Sequence, residues 1–143
     1  MDGYRRNSHA VHDIKYHIIW VTKYRYKILS RPIAVRVREL IRQGCEARGI
    51  VILQGSVGKD HIHLLISCPP SLAPSKILQY LKGMSSRLLQ DEFPELKKRY
   101  WGQHLWARGY FCATVGTVTE EIIRNYIANQ FNEARDDIFN IED

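Results

Sequence analysis

Apolar positions along this chain recur with two periods, and the switches between them divide it into elements. From Ile14 to Thr22 (IKYHIIWVT) the pattern alternates, with Tyr16, Ile18 and Trp20 on one face and His17, Ile19 and Val21 on the other. Both faces are rich in β-branched and aromatic residues, which predicts a strand buried on both sides. Ser30 and Pro32 then open a helical period in which Ile33, Val37, Leu40, Ile41 and Gly44 share a face, and Gly49 is placed to end it. Ile50 to Val57 and His61 to Ser67 read as two strands joined by the Gly58-Lys59-Asp60 turn, a hairpin that Pro69 and Pro70 close off. A second amphipathic helix carries Ile77, Leu81, Met84 and Leu88, after which Pro94 and the run Lys97, Lys98, Arg99 predict a loop. Leu105 to Val115 supplies one or two short strands around Gly109. Thr117-Val118-Thr119-Glu120 is a capping-box pattern ahead of a last helix with apolar Ile122, Ile123, Ile127 and Phe131.

The order strand, helix, strand, strand, helix, strand, helix predicts an α+β fold: a ferredoxin-like (RRM-like) antiparallel sheet covered by helices, with an added C-terminal helix. No repeat, low-complexity tract or linker divides the 143 residues, so one domain over 1–143 is expected.

Charge adds a partner class to this picture. Lys and Arg outnumber Asp and Glu by 21 to 15, and the excess lies before residue 110 because the tail from Glu133 is mostly acidic, so a polyanion is a plausible partner. Three cysteines, Cys45, Cys68 and Cys112, with no C-x-x-C pair, predict reduced thiols rather than a disulfide framework or zinc knuckle. No apolar run nears the roughly 20 residues of a membrane helix, and the first residues lack an export signal, so a cytoplasmic protein without a membrane partner is expected.

The candidate chemistry lies in two places. In His61-Ile62-His63, strand alternation sends both imidazoles to one face, where two nitrogens can bind a metal ion. In the last helix Ile122, Tyr126 and Gln130 form one row beside the apolar row Ile123, Ile127, Phe131, so Tyr126 and Gln130 share a face read as turned inward. A buried amide without a partner costs on the order of 1 to 3 kcal/mol, which gives Gln130 a partner or a role; the spacing leaves Asn129 open as a second candidate ligand. His61, His63 and a Gln130 oxygen would make a three-ligand site with open positions, and imidazole plus amide oxygen without thiolate suits Mg²⁺ or Mn²⁺. A phenol is a weak nucleophile at neutral pH, but it attacks a phosphate polarised by such an ion, which is the role expected of Tyr126.

These residues carry a resemblance. Val57-Gly58-Lys59-Asp60-His61-Ile62-His63-Leu64-Leu65, followed by Tyr126 and Gln130, resembles the small single-tyrosine HUH transposases of bacterial and archaeal insertion sequences. Tyr16 to Arg25, Lys82 to Ser86 and Trp106 to Phe111 agree with it, so the match spans roughly residues 13 to 131. The resemblance implies that His61, His63 and Gln130 hold the metal and that Tyr126 joins the DNA by a 5′-phosphotyrosine link, leaving a free 3′-hydroxyl. It also implies strand transfer without ATP, and a homodimer in which the tyrosine helix of one subunit can complete the site of the other.

Lys23-Tyr24-Arg25-Tyr26-Lys27 and Lys97-Lys98-Arg99-Tyr100-Trp101 interleave cations with aromatics, a pattern suited to phosphates and stacked bases of single-stranded DNA, in the family the hairpin ends of a mobile element. No helix-turn-helix or zinc-finger pattern is visible. Two other functions share these features: a domesticated HUH tyrosine nuclease acting on chromosomal repeats, and a ferredoxin-like nucleic-acid-binding module without chemistry.

Overall fold

The computed structural model describes residues 4–6, 10–100, 102, 104–129 and 137–139. Two short strands, β1 (Arg5–Arg6) and β2 (Val11–His12), pair with each other ahead of β3 (Ile14–Val21). Then follow α1 (Ile33–Ala47), β4 (Val51–Val57), β5 (His61–Cys68), α2 (Pro74–Glu92), α3 (Pro94–Arg99), β6 (Phe111–Thr114), α4 (Thr117–Asn129) and β7 (Asp137–Phe139).

The sheet order is β6-β3-β5-β4-β7, with antiparallel neighbours throughout. Its first four strands, with α1 and α2 as crossovers, form the ferredoxin-like core expected from the sequence. The strand β7 pairs with Gly55 to Val57 and covers the outer edge of β4.

Each sheet face has its own apolar cluster. On one side Ile18, Trp20, Ile62, Leu64 and Ile66 meet Val37, Leu40 and Ile41 of α1 and Ile77, Leu78 and Leu81 of α2. Full burial of one such side chain contributes roughly 1.5 to 3 kcal/mol, so this face holds most of the fold together. On the other side Leu53 and Leu65 meet Val115 and Ile127, with Val51 and Ile123 at the margin. This smaller cluster seats α4 on β4 and β5, and the adjoining area of the same face carries His17, His61 and His63.

Local signals explain the ends. Gly49 takes a left-handed φ of 70° just past α1, where its N–H donates to the Glu46 carbonyl at 3.2 Å. At α4 Thr119, the third helical residue, reaches back to Gly116 ahead of the helix: its Oγ1 accepts from the Gly116 N–H and donates to the Gly116 carbonyl, both at 3.1 Å. The expected box partner Glu120 turns instead to Lys15 and Arg124, at 3.2 Å each. Residues 97–99, expected in a loop, end the short helix α3; Pro94 at its start and three cations in its last turn suit the helix dipole. Between Leu105 and Val115 there is one strand, β6, plus a bridge between Trp106 and Thr22.

Candidate active site

The register of the two central strands builds the site. Ile19 stands opposite His63 and Val21 opposite His61, so His61, His63 and His17 project from the same face, the one that carries α4. His63 is fully buried. Its ring lies 5.7 Å from that of Tyr126, edge to face at 68°. His63 and Tyr126 therefore meet within one chain, with His61 on the same face.

Each group has an identifiable support. His61 Nδ1 lies 2.9 Å from Asp60 Oδ1; a carboxylate only accepts, so Nδ1 carries the proton and the lone pair is left on Nε2. A Cβ on residue 58 would fall inside the His61 ring, so the turn glycine is needed for that imidazole to lie where it does. Burial works to raise the Asp60 carboxyl, but bonds from His61 and Arg25 outweigh it and hold the carboxyl below its ordinary value. Across from His63, Ser56 is fully buried and its Oγ has no hydrogen-bond partner among the described residues. An orphaned hydroxyl across from an imidazole is what a polar site for a cation and its oxygen ligands would present.

The helix row departs from the inward reading. Ile122 is 65% exposed and Tyr126 56%, while Ile127 of the neighbouring row is buried. Both rows are apolar enough to be core, and only the second is; the phenol sits at the open edge of the site, accessible to a large substrate. Gln130 lies outside the described residues, and Asn129 ends α4. Among the described residues no group of three His, Cys, Asp or Glu side chains surrounds one position. The expected third ligand, an amide, is not of that kind.

His17 was not anticipated as a site residue. Its Nε2 faces that of His63, with ring centres 4.5 Å apart and planes within 20°, while Phe111 lies edge-on to it at 5.5 Å. Burial holds the His17 imidazole below its ordinary pKa. Strand alternation put His17 on the correct face; the pairing of β3 with β5, 46 residues apart in the His17–His63 contact, has no local signal.

A cleft of about 650 Å³ lies against α2 and the segment 104–108. Lys23, Lys82, Arg87, Lys97 and Arg108 line it against a single carboxylate, Asp91. Lys82 Nζ donates to the carbonyls of Ala107, Arg108 and Gly109 at 2.7, 3.1 and 3.3 Å, and Trp106 Nε1 donates to Ser85 Oγ at 2.9 Å. Burial lowers the Lys82 ammonium from its ordinary value. Two of the sequence stretches singled out above thus form one wall.

The expected DNA contacts divide. Lys23 and Lys97 line the cleft, and Lys27 and Lys98 are exposed. Arg25 instead binds Asp60 at 3.1 Å, and Arg99 lies 4.2 Å over the Tyr26 ring. Tyr100, expected among the base-stacking aromatics, is buried in the main core and Trp101 lies outside the described residues, whereas Tyr24 is 69% exposed. All three cysteines are free, and burial pushes the Cys45 and Cys68 thiols up to about 12.

The ferredoxin-like sheet carries two imidazoles on the face that seats a helix-borne tyrosine, and comparison with known proteins shows the chain to be a transposase. It belongs to the IS200-like transposase family, whose model, "Transposase IS200 like", matches residues 10–130. The chain is 36% identical over 126 residues to the transposase for insertion sequence element IS200 of Salmonella typhimurium, covering 88% of this chain and 82% of that one. It is 33% identical over 123 residues to the ISDra2 transposase TnpA of Deinococcus radiodurans, covering 86% and 88%. A crystallised Deinococcus radiodurans R1 protein assigned as a transposase superposes with a TM-score of 0.73 at 32% identity, over 88% of this chain and 97% of that one. A REP-associated tyrosine transposase solved on a REP hairpin shares the fold, with a TM-score of 0.67 at 16% identity over 94% and 74%. Among the described residues no helix is long and apolar enough to cross a membrane.

Proposed function

We propose that this transposase cuts and rejoins single-stranded DNA through Tyr126, with Mg²⁺ or Mn²⁺ held by His61, His63 and Gln130. The observation that carries the reading is the 5.7 Å approach of the Tyr126 ring to His63, on the face that also holds His61. The Asp60 contact suits His61 to a ligand's role, since ligating histidines characteristically donate their other N–H to a carboxylate. A bound cation would supply polarisation of the scissile phosphate and offset its developing charge.

Tyr126 is open to a phosphodiester from solvent. Its Oη attacks phosphorus and forms a 5′-phosphotyrosine bond as the bond to the 3′ oxygen breaks; the phenol proton leaves to solvent and the 3′ oxygen takes one up. Attack by the 3′-hydroxyl of a second strand reverses these changes and releases the phenol. Phosphodiester and phosphotyrosine bonds exchange one for one, so no nucleotide is consumed.

The cationic cleft supports a second part of the reading, in which the DNA backbone lies along α2 while its cut site reaches the tyrosine face. We propose a hairpin end as the form bound, by analogy with the REP-hairpin complex of like fold. Mobility of an insertion sequence is favoured over processing of chromosomal repeats because the relatives above 30% identity are insertion-sequence transposases. A cytoplasmic homodimer completes the proposal; the contact of Tyr126 and His63 within a chain does not require exchange of α4 between subunits.

The test uses DNA flanking the gene, as separate top and bottom strands and as duplex. A covalent protein–DNA adduct is expected on one single strand with Mn²⁺, and none with chelator or with His63→Ala. Equal adduct formation in chelator, or on duplex, contradicts the proposal.

A further inference from the structure

We infer that Tyr24 is a stacking platform for one unpaired base of the bound strand, on the loop that links the cationic cleft to the turn carrying His61. The inference rests on the reading of the chain as an enzyme of single-stranded DNA, and names a contact that reading does not include.

Three successive residues define the place. Lys23 lines the cleft, Tyr24 is 69% exposed, and Arg25 is bonded to the Asp60 carboxylate that also holds His61. The loop thus joins the two surfaces proposed to hold DNA. The neighbouring aromatics are already packed. Tyr100 is buried in the core, and the half-buried Tyr26 meets Tyr100 at 5.6 Å and Tyr24 at 5.4 Å, with the Arg99 guanidinium 4.2 Å over its ring. This row of rings runs from the core to solvent and ends at Tyr24. A ring so exposed adds little to the fold, whereas a base laid on it takes apolar area of both partners out of water. Lys23 Nζ lies 5.3 Å over the same ring, a cation within reach of the phosphate of a nucleotide stacked there.

The backbone holds the ring outward. Tyr24 has φ 60° and ψ 12°, a left-handed conformation that a side-chain-bearing residue keeps only where its surroundings impose it. Here they do: Lys23 N–H donates to the Leu105 carbonyl at 2.9 Å, Arg25 N–H to the Thr22 carbonyl at 2.9 Å, and Thr22 Oγ1 to the Tyr26 carbonyl at 2.7 Å. Strain maintained at an exposed residue points to a binding role, and a platform already fixed loses little freedom when a base settles on it.

The test uses fluorescence anisotropy with single strands of the DNA flanking the gene, each unpaired base in turn replaced by an abasic residue. The protein carries Tyr126→Phe throughout, so that no strand is cut. One abasic position should weaken binding about 5- to 150-fold. Adding Tyr24→Asn, which removes the ring and tolerates left-handed φ, should weaken binding of the intact strand as much and abolish the effect of that abasic position. Tyr24→Trp should stay near the parent protein. Parent affinity in Tyr24→Asn, or an abasic penalty that persists in it at every position, overturns the inference. Should Tyr24→Asn not fold, 5-iodouracil at the sensitive position of the strand decides: irradiation should crosslink it to Tyr24, and a crosslink to another residue overturns the inference. If the parent binds none of the strands, the reading of single-stranded DNA falls and this inference with it; if it binds them without any coupling to Tyr24, only the stacking role falls.

Discussion

Asp60 Oδ1 lies 2.9 Å from Nδ1 of His61, and the other oxygen of the same carboxylate accepts from Arg25 Nε at 3.1 Å. One turn residue thus joins a candidate cation ligand to a loop in which Tyr24 and Arg25 both take left-handed φ, 60° and 54°, strained for residues with side chains. Thr22 N–H to the Asp60 carbonyl at 2.8 Å and Leu29 N–H to the Lys59 carbonyl at 2.9 Å tie the same two segments together.

Asp60→Asn should therefore weaken Mn²⁺ binding by at least about 10-fold, because an amide oxygen holds His61 Nδ1–H less strongly than a carboxylate and makes the imidazole a poorer ligand. The fold should survive, since the change is isosteric and the backbone ties of the turn remain. EPR titration of Mn²⁺ beside thermal unfolding of the metal-free protein checks both; unchanged affinity would mean that Asp60 only shapes the turn.

The cleft makes a prediction about salt. Lys23→Ala should flatten the dependence of log affinity on log salt for single-stranded DNA by about 0.7, the slope for one phosphate contact on a single strand. Lys97→Ala and Arg25→Ala should flatten it less, because Asp91 already holds the Lys97 ammonium at 3.3 Å and Asp60 the Arg25 guanidinium at 3.1 Å. Anisotropy titrations across salt concentrations report the slopes; three equal slopes matching wild type would remove the cleft from the DNA path.

Lys15 makes a prediction about pH. It lies on the site face of β3, bonded to Asp13 and, at 3.2 Å, to Glu120 of α4. Burial works to lower its ammonium, but the bonds to Asp13 and Glu120 outweigh this and hold it above the ordinary value of 10.5. A cation with a raised folded pKa adds stability that is fully present below 10.5 and is lost as pH rises through the folded value. The stability difference between wild type and Lys15→Met should hold constant through neutral pH and shrink above 10.5. Urea unfolding over that range measures it; a difference that widens in alkali has the opposite sign to the account.

How much could be read from residues alone depended on whether their signals were local. The row Ile33, Val37, Leu40, Ile41, the stop at Gly49 and the hairpin at Gly58 are short-range patterns, and each element stands where it was expected. The face shared by His61 and His63 follows from strand alternation and was equally legible. In α4 two adjacent rows are apolar, so periodicity did not determine that Ile123 and Ile127 face the sheet while Ile122 and Tyr126 face out. The partnerships of His17 with His63 and of Asp60 with Arg25 join residues 46 and 35 positions apart, and only the assembled sheet brings them together. Tyr100 looked like a surface aromatic because its neighbours are cations, yet α3 turns it into the core while Lys97, Lys98 and Arg99 stay outside.

The central claim is that the Tyr126 phenol becomes bonded to DNA. The most direct measurement is mass spectrometry of proteolytic peptides from protein trapped on a single-stranded hairpin end with Mn²⁺ and treated with nuclease. The account predicts one modified peptide, bearing a 5′-linked nucleotide on Tyr126, and no modified peptide from Tyr126→Phe, which should still bind the hairpin because the half-exposed ring carries little of the fold. A nucleotide on any other side chain, or an adduct of equal yield in Tyr126→Phe, would contradict it.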